Sequence, residues 1–227
     1  MFTPYTSVAG CQEPSDLDGR ILVASSGAQR QGYHHGNLRQ ALLEAGLELT
    51  RNGGPSALAM REVTRRLGVS PNAAYRHFAD RDSLLSAVAE QIQQQMVARM
   101  LTHASGGRTK VAARERLRAV GLGYIEFALR EPGWFETAFG DIQPVDPAAG
   151  GHALPSPLTM LVSALDALVA SGDLAETERE GAEWPCWSAV HGFALLALHG
   201  PLRGRPHDQL WPAAERTVDA VIAGLLL

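Results

Sequence analysis

Residues 61–78, REVTRRLGVSPNAAYRHF, set a glycine and a serine–proline pair between two stretches of helical spacing. Gly68 stops a helix there, because glycine tolerates the left-handed conformation of a C-terminal cap. Ser70 is a good N-cap, and Pro71 fits the first helical position, where its missing N–H has no partner to lose. Two short helices must therefore meet across a turn of about three to four residues. In front of them, Leu38, Leu42, Ala45 and Leu49 recur on one helix face from Asn37, and Asn52-Gly53-Gly54-Pro55 ends that helix. The second helix is expected from near Leu58, with Ser56 a possible N-cap and Ala59, Val63 and Leu67 on one side. The third should run from Pro71 to about His77, and Asp80 can cap a fourth that carries Leu84, Leu85, Val88 and Ile92. This is the layout of a helix-turn-helix; a generic pair of core helices would show the same period.

Charge distribution separates those two readings. The net charge is -4, yet residues 30–81 hold eight arginines against four acids, a balance of +4 that leaves -8 for the rest. A basic module joined to an acidic one points to a polyanion at the N-terminal end. The third helix also concentrates polar side chains opposite its apolar face of Ala74 and Phe78. In the major groove, Arg76 matches guanine O6/N7, Asn72 matches adenine N6/N7, and Ala73 offers a methyl contact to thymine. Tyr75 and His77 have polar tips that reach phosphate and set register, and Arg81 could hold a phosphate at the groove edge. Arg30, His34, His35 and Arg39 could form a basic lead-in, although the histidine pair reads equally as solvated chain.

The stretch YHHGNLRQALLEAGLELTRNGGPSALAMREVTRRLGVSPNAAYRHFADRDSLLSAVAE resembles the N-terminal DNA-binding domain of TetR-family transcriptional regulators. The likeness rests on GNLRQALLEAG, MREVTRRLGVS, the tyrosine-x-histidine-phenylalanine run and Asp-Arg-Asp followed by a leucine pair. It implies an all-α homodimer in which a three-helix DNA-binding domain precedes a larger helical domain for effector binding and dimerisation. Such proteins mostly repress transcription from a near-palindromic operator and are released by a small molecule. By position, the resemblance assigns DNA contacts to Ala59, Met60 and Arg61 as well as to Ser70, Asn72, Tyr75, Arg76, His77 and Arg81. Ala59 and Met60 depart from the family pattern, which often places a phosphate-holding hydroxyl there. The implied division is a flexible tail at 1–30, the DNA-binding domain at 31–82 and the effector and dimerisation domain at 83–227.

The second half is helical by pattern. Leu117 to Leu129 reads as a buried helix, Glu131-Pro132-Gly133 breaks it, and WFETAF follows as a short helix. Residues 140–157 are a Pro/Gly-rich loop, of a length that is often functional. Further helices are expected over Leu158–Ala170, over Glu176–Leu198 despite Pro185, and over Asp208–Leu226. The run WSAVHGFALLALHG resembles the tryptophan-histidine-glycine (WHG) C-terminal domain of one branch of the family, with Trp187, His191 and Gly192 at the signature positions. In that branch the last two long helices build the dimer interface. Ala189, Gly192, Ala194 and Ala197, then Ala220, Ala223 and Gly224, would allow close helix approach, as would a monomer core. Trp134, Phe135, Phe139, Met160, Trp184, Trp187 and His191 are candidates to line a pocket for a small hydrophobic or aromatic effector; aromatics at helical spacing also serve as plain core.

No nucleophile motif, phosphate loop, HExxH or GxGxxG is present, so a catalytic reading has no support, and neither a cofactor nor a metal is expected. Cys11 and Cys186 lie too far apart to read as a zinc pair, and the first residues have neither a basic start nor an apolar core. With no apolar run long enough for a bilayer, a cytoplasmic, bacterial-type protein is the expectation. The alternative is a DNA-binding dimer without a small effector, answering to a protein partner or acting as an activator. An enclosed cavity in the larger half would favour a ligand, and a filled core would favour a partner.

Overall fold

Local capping sets the first elements. In the computed structural model, which describes residues 37–104, 113–140 and 156–226, Asn37 caps α1 (Leu38–Gly53) by accepting the Gln40 amide at 3.4 Å. Gly54 then takes φ +62°, and a 3-10 turn over Pro55–Ala57 follows. The second helix, α2, is Met60–Leu67, two residues later than the sequence reading placed it. Its N-cap is Ala59, without a side-chain bond, and Ser56 instead donates to the Gly53 carbonyl within the 3-10 turn. Gly68 ends α2 at φ +65°, in the left-handed region that an L side chain seldom adopts. Ser70 Oγ accepts the Ala73 amide at 3.3 Å and opens α3 (Pro71–Tyr75), two residues shorter than expected. Asp80 and Ser83 cap α4 (Arg81–Ala104) reciprocally: Asp80 Oδ1 accepts the Ser83 amide at 2.7 Å, and Ser83 Oγ accepts the Asp80 amide at 3.2 Å. The bond from Ser83 holds the Asp80 carboxyl below its ordinary range.

The described residues contain nine α-helices. After α4 come α5 (Ala113–Arg130), α6 (Pro132–Phe139), α7 (Ser156–Ser171), α8 (Glu183–Leu198) and α9 (His207–Leu225). The expected helix over 176–198 is divided: Glu176–Glu178 form a 3-10 turn, Gly181 turns at φ +77°, and α8 starts at Glu183. Pro185 therefore falls in the first turn of α8, where no intrahelical amide is lost.

Two helices organise the packing. Along α4, Leu84, Val88, Ile92, Met96 and Met100 recur every fourth residue, and all five are sealed from solvent. Burying such a side chain is worth about 1.5–3 kcal/mol, so this stripe ties α4 firmly into the core. The central helix of the larger half is α5, packed against α4, α6, α7, α8 and α9. Its Gly123 sits so close to Met100 that an added Cβ would lie 3.0 Å from the Met100 Cα, letting α4 and α5 approach backbone to backbone. No helix among the described residues is long and apolar enough to cross a membrane.

Candidate nucleic-acid interface and effector cavity

The helix-turn-helix leaves one polar face open. Ala74 and Phe78 turn inward from α3 and its exit, while Ser70, Asn72, Tyr75, Arg76 and His77 are exposed and Ala73 is half-buried. Ala59 and Arg61 are exposed at the start of α2. Neither Arg61 nor Arg76 has an ion-pair partner among the described residues. The neighbouring arginines differ. Arg65 donates to both Glu62 oxygens at 2.9 and 2.8 Å, and Arg66 donates to Glu62 at 3.0 Å. Those bonds, from Arg65 first and then Arg66, pull the Glu62 carboxyl down to about 2. Arg39 extends from α1 with its guanidinium 5.0 Å over the Phe78 ring, which brings it beside the exit of α3.

Two expected DNA contacts are corrected by the geometry. Met60 is only 8% exposed and packs into the core beneath α2, so its side chain does not face a groove. Arg81 reaches back to the α1–α2 connection, donating from Nε to the Leu58 carbonyl at 2.7 Å and from Nη2 to the Pro55 carbonyl at 2.5 Å. Its remaining nitrogen meets Asp82 at 3.0 Å, so the guanidinium is a fold clamp rather than a free phosphate donor. Arg30, His34 and His35 lie outside the described residues, as does the tail at 1–30.

The aromatic candidates of the larger half do not form one pocket. Trp184 is 58% exposed on the outside of α8. Trp134 donates its indole N–H to the Leu47 carbonyl at 2.8 Å, stacks on Phe127 and receives the Arg51 guanidinium 4.9 Å over its ring. Met160 is buried in the core and lines neither cavity described below. These three are corrections: Met160 lies in the core, Trp134 in a helix joint and Trp184 on the surface, and none lines either cavity described below. Phe135, Phe139, Trp187 and His191 do meet, around a residue not singled out for the pocket, Tyr124 of α5. Tyr124 Oη lies 2.8 Å from His191 Nδ1, and the Trp187 and His191 rings stack at 6.1 Å. Burial pushes the Tyr124 phenol above and the His191 imidazole below their ordinary values, so both are neutral near pH 7. Tyr124 shares the apolar spacing of α5, and a contact across 67 residues carries no local signal in the sequence.

Two small cavities flank this cluster. One, about 30 Å³, is almost wholly apolar and runs between α5, α7, α8 and α9 past Tyr124, Leu161, Trp187 and Val218. The other, about 60 Å³, lies between α6 and α8.

A joint links the helix-turn-helix to these cavities. Glu131, at the N-cap of α6 and 5% exposed, accepts from Arg51 Nε at 2.7 Å and Nη2 at 2.6 Å, and from Arg99 at 3.1 Å. The hydrogen bonds from Arg51 hold its carboxyl below the usual range, against the opposing effect of burial. Beside it, Gly133 packs directly on the Thr50 and Arg51 carbonyls at the end of α1.

The fold and the open face of α3 define a helix-turn-helix DNA-binding protein. Comparison with known proteins agrees. Residues 42–88 match the model of bacterial regulatory proteins of the tetR family, and residues 117–221 match the tetracyclin repressor-like C-terminal domain. No curated protein matches the chain in sequence. Among solved structures, a protein of unknown function from Rhodococcus sp. RHA1 is 27% identical, with a TM-score of 0.64, covering 87% of this chain and 100% of its own. A TetR-family transcriptional regulator from Pectobacterium atrosepticum is 22% identical over 84% of this chain and 95% of its own, with a TM-score of 0.61. A single-substitution variant of TetR from Acinetobacter baumannii AYE, solved in complex with minocycline, is 20% identical over 81% of this chain and 93% of its own, with a TM-score of 0.57. The chain belongs to the TetR family, in its WHG branch; it is a DNA-binding transcriptional regulator and not an enzyme.

Proposed function

We propose that two copies of this chain bind a palindromic operator and repress transcription until a small molecule occupies the larger half. The observation that carries the DNA part is the cluster of Asn72, Tyr75, Arg76 and His77, exposed together, with Arg76 unpaired among the described residues. Asn72 and Arg76 read base edges, while Ser70, Tyr75, His77, Arg61 and the Ala59 backbone set position on the phosphates. Dimerisation uses α8 and α9. Trp184, Leu195 and Leu196 are 58%, 42% and 45% exposed on α8, and Gly192 and Gly224 face open space that a second copy can fill. The pair of recognition helices then meets successive major grooves about 34–36 Å apart or somewhat more. A cytoplasmic location follows from this role.

Release needs a ligand that binds the DNA-incompetent state more tightly, since equal affinity for both states shifts nothing. The neighbour solved with minocycline supports a small-molecule effector by analogy of fold. One observation favours the alternative, control by a protein partner. The two apolar cavities beside the Tyr124 cluster, about 30 and 60 Å³, are far below the several hundred Å³ of a formed drug-sized site, and the roomier cleft of about 390 Å³ past Arg99, Glu126 and Arg130 is polar, so an apolar ligand must open its own space. The deciding experiment is titration of the dimer onto its own upstream intergenic DNA against scrambled duplex over a salt series. Protection of one palindrome supports the reading; equal, steeply salt-dependent binding to both duplexes overturns it.

A further inference from the structure

The cavity between α6 and α8 is lined by a histidine whose second ring nitrogen has no partner among the described residues. Its walls are Phe135, Phe139 and Leu195, with Gly140 at the edge and Glu136 and His199 among the lining residues. His191 also lines it. Its Nδ1 is taken by Tyr124, but Nε2 has no hydrogen-bond partner among the described residues. No sealed side-chain nitrogen or oxygen among them lacks a partner, so Nε2 keeps accessible surface, and His191 is one of the residues lining the cavity. The other cavity is almost wholly apolar.

We propose that this α6–α8 cavity is the effector site and that it takes a small, uncharged aromatic molecule with one hydroxyl group, bound through His191 Nε2. This rests on the effector-released reading above. Ring walls on α6 and an imidazole on α8 favour a planar aromatic over a branched aliphatic. The half-buried Glu136 carboxylate, 3.4 Å from His199, repels an anion. A hydroxyl suits Nε2 in either tautomer, because it donates to the bare nitrogen and accepts from the protonated one. Volume requires Phe139, in the last turn of α6, to swing aside on entry; an apolar cavity of about 150 Å³ is the size that holds a benzene ring. The ring walls belong to α6, the helix whose other side is docked on α1.

The test is calorimetric titration of the full-length dimer with phenol, toluene, benzoate and tetramethylammonium. Phenol should bind saturably, roughly tenfold tighter than toluene and at least tenfold tighter than benzoate. His191→Phe should bind phenol and toluene alike, His191→Gln should restore the preference, and Glu136→Gln should narrow the gap to benzoate. The proposal is overturned if phenol does not bind, if its preference survives in folded His191→Phe, or if benzoate or tetramethylammonium binds more tightly. Operator release is read separately on the same samples. Phenol binding with the expected variant pattern but no release would uphold the site and remove the effector-released reading.

Discussion

Arg51 and Glu131, 80 residues apart, form a two-point bond in which Nε and Nη2 of the arginine reach separate oxygens of the carboxylate at 2.7 and 2.6 Å. The arginine lies in the last turn of α1 of the DNA-binding part, and the glutamate stands at the N-cap position of α6 in the larger part. Glu131→Gln keeps the shape but removes the charge from both this bond and the one to Arg99. The expected result is a fall in melting temperature of about 3–6 °C, read by circular dichroism. An unchanged melt would show that the pair is incidental.

The same carboxylate sets a pH response. Its folded-state value lies below the ordinary one, so its contribution is complete above the unfolded value and declines as pH falls through the folded value. His191, held neutral by burial, adds a second decline that begins earlier, as pH falls below its unfolded value near 6.5. Chemical denaturation should show stability level from pH 8 to 7, decreasing below about pH 6.5, and decreasing further below about pH 4.5. In Glu131→Gln the acid-side decrease should be smaller, and an identical profile would exclude Glu131 as its source.

Arg76 and Arg81, five residues apart, should behave in opposite ways. Arg76→Ala removes an exposed cation that has no ion-pair partner among the described residues and should weaken operator binding by about 1–3 kcal/mol without altering the melt. Arg81→Ala leaves the Leu58 carbonyl without its side-chain partner and removes one of the two donors to the Pro55 carbonyl, and it should lower the melting temperature while the salt slope of DNA binding stays unchanged. Fluorescence anisotropy over a salt series, paired with thermal melts, separates the two. A drop in salt slope for Arg81→Ala would return that residue to the phosphate contacts.

Gly133→Ala should be severe for so small a change. The added methyl would meet the Arg51 carbonyl and lie 2.5 Å from the Thr50 oxygen, and backbone cannot rotate out of the way. A loss of about 1–3 kcal/mol is expected, while Gly192→Ala, which faces open space in the middle of α8, should stabilise a monomer by about 0.5–1 kcal/mol. Comparable effects of the two would contradict this account of the joint.

Trp184→Glu combined with Leu196→Glu should raise the dimer dissociation constant by at least about tenfold in sedimentation equilibrium, since each buries a charge in an apolar contact. A dimer of unchanged strength would move the interface away from this face of α8.

Much of this was legible in the sequence because it is local. Ser70, Gly68 and Asp80 act at the positions where capping rules put them, and the four-residue stripe of α4 can be read from its period. The errors share a cause. Arg81, Met60, Trp134 and Trp184 have side chains whose use depends on neighbours distant in sequence, and composition cannot distinguish an arginine that caps carbonyls from one that awaits phosphate. Leu195 and His199 were overlooked as cavity-lining residues because their role depends on α6 lying across α8. Pro185 is the converse case: it interrupts a pattern, and the interruption marks where a helix starts.

The contact of Gly133 with the end of α1 has a mechanical consequence. Most helix pairs are separated by a layer of side chains that can change rotamer and absorb strain. Here main chain rests on main chain, pinned by a charged bond on one side and an indole on the other. Such a joint has little slack. A shift of α6 by an ångström cannot be absorbed at the contact and passes into α1 as rigid displacement, so the stiffness of a single glycine step fixes the gain between the two halves of the molecule.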